Sequence, residues 1–315
     1  MNAPIGVLVM AHGAPGSTEE IEPFYTRIRR GRPPSAEQLG DLVRRYEAIG
    51  GISPLTERTR AQVDGLAALL EAAEPGRYVV AYGAKHTEPS VERAAADLAN
   101  RGVSAMVGIV LTPHRSSRGS GEYLDRAAEA IGATRPELPF VRVDEWFDAL
   151  GLPELLARRV LAALAEADLR TEGVSTVLFS AHSLPESVRA AGDPYPDQVE
   201  RSAELVAKAA DLDAAAVPWR VVWQSAGRTD QQWLGPDLLG TLERLGAERC
   251  RSVVVCPVGF VSDHLEILYD LDIEARARAG SSGLAFARTE SLNDDPEFLA
   301  ILAAVVQGAA GRAER

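Results

Sequence analysis

The chain has 315 residues, 46% of them apolar and 25% charged, with a formal net charge of -12. That length can bury a large core and predicts two lobes of similar size, while the acidic balance excludes a nucleic-acid binder that works by general phosphate neutralisation. The two cysteines, Cys250 and Cys256, form no CxxC pair and no four-ligand set, which excludes a disulfide framework and a cysteine-held iron–sulfur cluster.

Residues 1–4 run almost directly into an apolar strand, with no charged n-region and no apolar h-region, so the expectation is a cytoplasmic protein. Strand patterns follow at 5–10, 78–82, 105–111, 140–143, 176–180, 220–224, 251–257 and 283–288. Helical spacing covers 61–73, 90–101, 153–167, 197–210 and 235–245. Alternation of this kind predicts an α/β fold of parallel sheets with helices on both faces. The apolar stretch 298–306 is too short to span a bilayer and suits an amphipathic closing helix.

Two strand ends resemble each other. VLVMAHGAP (7–15) and VLFSAHSLP (177–185) each run from an apolar strand through Ala-His to a proline three residues after the histidine. This predicts two half-molecules of one doubly wound type, an N-terminal lobe over 1–148 and a C-terminal lobe over 149–315 that includes the closing helix. The first half differs by an extra polar stretch, about 25–55. His12, His114 and His182 end or follow strands, His86 sits in a loop after a strand, and His264 precedes an acidic helix. Ligands of open α/β sheets bind outside the carboxyl ends of the strands, so the strand-end histidines predict a cleft there.

Two further patterns bear on chemistry. The segment PVGFVSDHLEILYDLDIE (257–274) follows a buried strand and reads as a turn and then a helix in which Glu266, Asp270 and Glu274 recur every fourth residue. Turned outward, that ladder is a solvated acidic face; turned inward, it suits a hard divalent cation or proton transfer. Between 27 and 45 lie Arg27, Arg29, Arg30, Arg32, Arg44 and Arg45 against only Glu37 and Asp41, a local balance of +4. That is either a solvated basic face or a clamp for a ligand with several carboxylates, which arginine forks match in pairs. No phosphate loop, HExxH or GxSxG elbow competes.

Over nearly its whole length the sequence resembles the ferrochelatase family. The matching segments are RIRRGRPP, RRYEAIGGISPL, KHTEPSVE, SAHSLPESV, GDPYPDQVERSAEL, WQSAGRT with QWLGPDL, and PVGFVSDHLEILYDLDIE. They are most similar to the enzymes of monoderm bacteria that insert iron into coproporphyrin III. The resemblance implies two Rossmann-like lobes of the class II chelatase type with a porphyrin cleft between them. It implies His182 and Glu266 as the catalytic, metal-handling pair, with Asp270 and Glu274 continuing the acidic line. It places Arg29, Arg45, Tyr46, Ser53 and Tyr123 where the family holds propionates and macrocycle, and His12 on the opposite side of the ring. Coproporphyrin enzymes of this kind tend to read MAYG there, and this chain departs with MAHG. The implied partners are a porphyrin and ferrous iron, with transient contacts to other haem-pathway enzymes. The expectation is a monomer with no transmembrane segment and no cofactor beyond the substrate Fe²⁺. Protoporphyrin IX as substrate, a sirohydrochlorin chelatase and a non-catalytic haem-binding protein stay open as alternatives.

The residue types suit that chemistry. Inserting Fe²⁺ into a porphyrin needs two pyrrole protons to leave, and a neutral histidine is a suitable acceptor near pH 7. The ligands must be weak enough to surrender the metal, which a closed Cys/His cage is not. Bending the ring requires binding energy from remote groups such as propionates.

Overall fold

The computed structural model describes residues 3–168, 175–227, 229–248 and 250–313; Arg228 of WQSAGRT lies outside them. The chain divides into two compact units, one of 1–146, 262–265 and 292–315, the other of 147–261 and 266–291.

The first unit is built on β1 (Ile5–Ala11), β2 (Tyr78–Ala84), β3 (Ala105–Val110) and β4 (Phe140–Val143). All are parallel, in the order β2-β1-β3-β4. Both faces of β1 are buried, as its uninterrupted apolar sequence requires of an inner parallel strand. One face packs on α4 (Val91–Ala99) and α5 (Ser120–Thr134), where Leu8, Met10, Met106 and Val110 meet Val91, Leu98, Leu124 and Ile131. The polar stretch after β1 folds as α1 (Ile21–Ile28) and α2 (Ala36–Ala48) before the long α3 (Leu55–Ala73). A reciprocal capping box between Ser35 and Gln38 starts α2.

The second unit repeats the plan with β5 (Ser175–His182), β6 (Trp219–Gln224), β7 (Ser252–Cys256) and β8 (Ala285–Arg288), parallel in the order β6-β5-β7-β8. Helices α6 (Leu152–Asp168), α8 (Tyr195–Ala209) and α9 (Leu238–Ala247) cover this sheet, and α7 (Ser187–Ala190) is a single turn after β5. The expected fold class is therefore what the chain builds. In each sheet the first strand lies between the second and third, so the winding reverses beside β1 and beside β5. The carboxyl ends of those strands are the places where such sheets bind ligands.

Two expectations need correction. The closing helix α12 (Pro296–Ala313), expected in the C-terminal lobe, packs instead on α3, β3 and β4 of the first unit. Its Phe298 ring lies 5.9 Å from that of Trp146, and Leu299 fills the space left by Gly65, where a Cβ would approach its Cδ1 to 2.4 Å. The single helix expected after the Pro-Val-Gly turn is three pieces: α10 (Leu265–Leu268), a π-helical turn (Asp270–Ala275) and α11 (Arg276–Ser281). The Glu274 amide reaches back five residues to the Tyr269 carbonyl at 2.9 Å, so every-fourth spacing no longer keeps the carboxylates on one line. Among the described residues no helix is long and apolar enough to cross a membrane.

The turn after β7 lies against the end of β5. The Gly259 amide donates to the Ser180 carbonyl at 3.2 Å, and a Cβ on Gly259 would stand 2.7 Å from Ala181 Cβ and 2.9 Å from its Cα. Gly259→Ala is expected to destabilise the protein by about 1–3 kcal/mol through overpacking. Gly280→Ala, in α11 with nothing within 4 Å of the new methyl, is expected to stabilise by about 0.5–1 kcal/mol. Chemical denaturation of the two variants checks the pair, and equal effects would sink the argument.

Candidate active site

His182 is the last residue of β5 and Glu266 lies in the first turn of α10; the imidazole Nε2 and a carboxylate oxygen are 3.4 Å apart, each side chain 35% exposed. The other ring nitrogen faces the Ser183 carbonyl at 2.6 Å. A carbonyl only accepts, so Nδ1 carries a hydrogen and Nε2 is the atom that gains or loses the working proton. The Tyr195 hydroxyl donates to the His182 carbonyl at 2.9 Å and fixes the strand end from the other side.

Burial alone would push the His182 pKa down. The Glu266 charge and hydrogen bond, the Ser183 carbonyl and the Asp270 charge outweigh it and raise the group to about 9. The neutral imidazole expected near pH 7 is thus an imidazolium in the resting pair, because two carboxylates face it.

Asp270 is buried, and its carboxylate accepts a short hydrogen bond from the Ser225 hydroxyl. Asp272 is held by both nitrogens of an Arg288 fork at 2.8 Å, which pins the π-helical turn to β8. Glu274 is partly exposed. Among the described residues no set of three or more His, Cys, Asp or Glu side chains forms a ready metal cage. Glu266 and His182 therefore meet as a two-member site.

The first unit gathers the remaining predicted residues. His12 follows β1, its ring 4.7 Å from that of His86 and 5.8 Å edge-on to Phe24. His12 Nδ1 lies 3.1 Å from the Gly13 carbonyl, which only accepts, so Nδ1 carries a hydrogen. His86 is pushed down to about 3 by burial and by the neighbouring His12, Lys85, Arg126 and Arg27, so it is neutral. Arg29 sits over the Tyr25 ring at 5.6 Å and exchanges side chain-to-carbonyl bonds with Arg32 at 3.2 and 3.3 Å. Arg44 and Arg45 both reach Asp41, at 3.2 and 3.3 Å. Part of the basic excess is thus answered within α2, by the exposed Arg44 and the half-buried Arg45 on a half-buried Asp41.

Tyr46, Ser53 and Tyr123 are buried. Ser53 Oγ accepts from the Leu55 amide at 3.2 Å at the start of α3, and the Lys85 ammonium lies 4.8 Å over the Tyr123 ring. His114 is only 1% exposed, its pKa pushed by burial to about 3. It is a core residue rather than the cleft residue its strand-end place suggested. The reading of single residues passed over Gln224, Ser225 and Tyr195, although WQSAGRT and GDPYPDQVERSAEL stood out as motifs. No local pattern marks them, because their partners lie 13 to 45 residues away.

Comparison with known proteins places this geometry in a family. A ferrochelatase family model matches residues 4–310. The chain is 41% identical over 310 residues to a ferrochelatase of Herpetosiphon aurantiacus, covering 98% of this chain and 100% of that one. It is also 41% identical over 313 residues to the coproporphyrin III ferrochelatase of Bacillus subtilis, covering 98% of each. Among solved structures, SirB from Bacillus subtilis with Fe³⁺ matches with a TM-score of 0.59 at 12% identity, over 99% of this chain and 97% of that one, a likeness of fold. From residue 4 to residue 310, the repeated sheets and the His182–Glu266 pair included, the chain belongs to the ferrochelatase family.

Proposed function

We propose that this protein inserts ferrous iron into coproporphyrin III, a step of haem synthesis, as a cytoplasmic monomer. The observation that carries the reading is the His182–Glu266 pair at the end of β5, in a chain of the same family and length as coproporphyrin III ferrochelatases. Insertion is an exchange in which two pyrrole protons leave as one Fe²⁺ enters. At rest the pair is an imidazolium and a carboxylate. Fe²⁺ carries more charge than the proton it meets, so its arrival at Glu266 drives the Nε2 proton off. The neutral imidazole and the carboxylate then hold iron through two protein ligands, few enough to yield to four pyrrole nitrogens. As the metal leaves, Nε2 takes one pyrrole proton and Glu266 the other, with Asp270 and Glu274 the route onward. No cofactor beyond the iron is needed; Cys256 is buried on β7 with its thiol pushed up to about 12, and Cys250 is half-buried beside Thr176.

Anaerobic Fe²⁺ supplied with coproporphyrin III or with protoporphyrin IX tests the substrate, and kcat/KM is expected to favour the former. Coproporphyrin has four propionates and protoporphyrin two, and a charge-assisted contact contributes about 1.5–3 kcal/mol where partly desolvated. Arg29→Ala and Arg45→Ala are expected to raise KM for coproporphyrin by about tenfold, since ~1.4 kcal/mol is one decade, and to affect protoporphyrin less. Equal penalties on the two porphyrins would mean that these arginines do not read the extra carboxylates.

His182→Ala is expected to slow insertion by about 10²–10⁴-fold while porphyrin binding, followed by fluorescence, survives. The pH dependence has a definite sign. A base held protonated up to about 9 makes kcat/KM for iron rise with pH toward that value. Glu266→Gln removes the largest favourable contribution and leaves burial less opposed, so the His182 resonances in NMR are expected to titrate at lower pH than in the wild type. Identical titration curves would show that Glu266 does not set the charge on His182.

The departure at His12 has its own test. A neutral imidazole Nε2 is a better iron ligand than a tyrosine hydroxyl, so the iron–porphyrin product is expected to show a histidine-bound spectrum. His12→Tyr should change that spectrum and speed product release, with insertion less affected. Absorption and resonance Raman spectra that match between wild type and variant would remove His12 from the iron.

A further inference from the structure

The polar groups that fix the acidic helix come from two consecutive residues at the end of β6. Gln224 is buried and pairs in register with His182. Its side-chain oxygen accepts from the Ser180 hydroxyl at 2.8 Å, and its amide nitrogen donates to the Glu266 carbonyl at 3.0 Å. That orientation is forced, because a peptide carbonyl cannot donate. Its own backbone carbonyl accepts from the Ser183 amide at 2.7 Å. One residue thus ties the strand that ends in His182 to the helix that carries Glu266. The next residue, Ser225, donates its hydroxyl to Asp270.

Ser225 does this from an uncommon backbone. Its φ is +59°, in the left-handed region where a side chain is disfavoured and glycine is at ease. A serine there is strained relative to glycine, and strain at one residue beside a reacting pair is a reason to ask what its side chain does. The side chain has one partner of consequence, a carboxylate only 5% exposed, 45 residues away in sequence. A buried carboxylate is costly without a donor, and its place on a π-helical turn, where regular spacing is lost, means that the helix alone does not aim it.

We propose that Ser225 is a positioning residue for metal insertion, holding the Asp270 carboxylate at a fixed place behind the His182–Glu266 pair so that iron and protons pass between them. The inference rests on the ferrochelatase reading of that pair. It differs from a structural role in a specific way. If Ser225 merely completes a turn, glycine serves as well or better. If its hydroxyl aims Asp270, glycine keeps the fold and loses the function.

The test uses the full-length protein with anaerobic Fe²⁺ and coproporphyrin III, measuring kcat, both KM values and thermal unfolding for Ser225→Gly, Ser225→Ala, Asp270→Ala and the Ser225→Gly/Asp270→Ala double variant. Ser225→Gly is expected to stay folded and melt within a few degrees of the wild type, since relief of the left-handed backbone offsets the lost donor, while kcat falls by about tenfold, the scale of one lost charge-assisted hydrogen bond. KM for iron rises and KM for the porphyrin stays. Ser225→Ala, which keeps the backbone strain, should lose the same activity. In the Asp270→Ala background Ser225→Gly should change nothing further, because paired residues are non-additive. A Gly variant with wild-type kcat and iron KM overturns the inference, and so do additive effects in the double variant. Wild-type protein that inserts no iron overturns the functional reading and this inference together; active wild type beside an unimpaired Gly variant overturns this inference alone.

Discussion

A separation of 3.4 Å between an imidazole nitrogen and a carboxylate oxygen governs the chemistry of the second unit. With Nδ1 committed to the Ser183 carbonyl, His182 has one nitrogen left, and it points at Glu266. The carboxylate raises the proton affinity of that nitrogen against the burial that would lower it. The resting site is therefore a proton held between two groups, each a potential iron ligand. In the proposed reaction such a site is closed by a proton and opened by the incoming iron. Strand β5, the Tyr195 hydroxyl, the Gln224 amide and the Gly259 turn all serve to keep that distance.

Much of this was legible in the sequence, for reasons that can be named. An inner parallel strand is apolar on both faces, so β1, β5 and β7 announce themselves without periodicity. The Ala-His step after two such strands revealed the duplication, and the shared strand order shows that the likeness is topological as well as local. What was not legible depends on distant partners. The every-fourth-residue ladder reads as one helical face, yet the chain widens into a π-helical turn at Asp270, with Asp272 clasped by Arg288 from another strand. The closing helix follows the second half in sequence, yet Trp146 and the gap at Gly65 seat it on the first sheet. His114 shows the limit of reading strand ends, since the same position can look into the core.

The arginine cluster illustrates a second limit. Counting charges gave a local excess, but the structure spends Asp41 on both Arg44 and Arg45 and turns Arg29 and Arg32 onto each other's carbonyls. Arg32 and Arg44 are exposed and Arg29, Arg45 and Asp41 half-buried, and all of these are single contacts rather than buried forks. A ligand carboxylate can replace an exposed partner at small cost, whereas it could not displace the fork on Asp272. Composition identifies where charge is concentrated; only burial says which of it is exchangeable.

The duplicated fold also sets two histidines at the same place in each half and surrounds them with opposite company. His182 faces carboxylates, which favour a proton on the ring. His12 lies against the neutral His86, with 4.7 Å between the ring centroids, and edge-on to Phe24. One strand end is therefore set among carboxylates and the other among rings. In the proposed reaction the first of these supplies the base that takes the pyrrole protons. The fold supplies the positions twice, and the residues within a few ångströms decide what each imidazole can do.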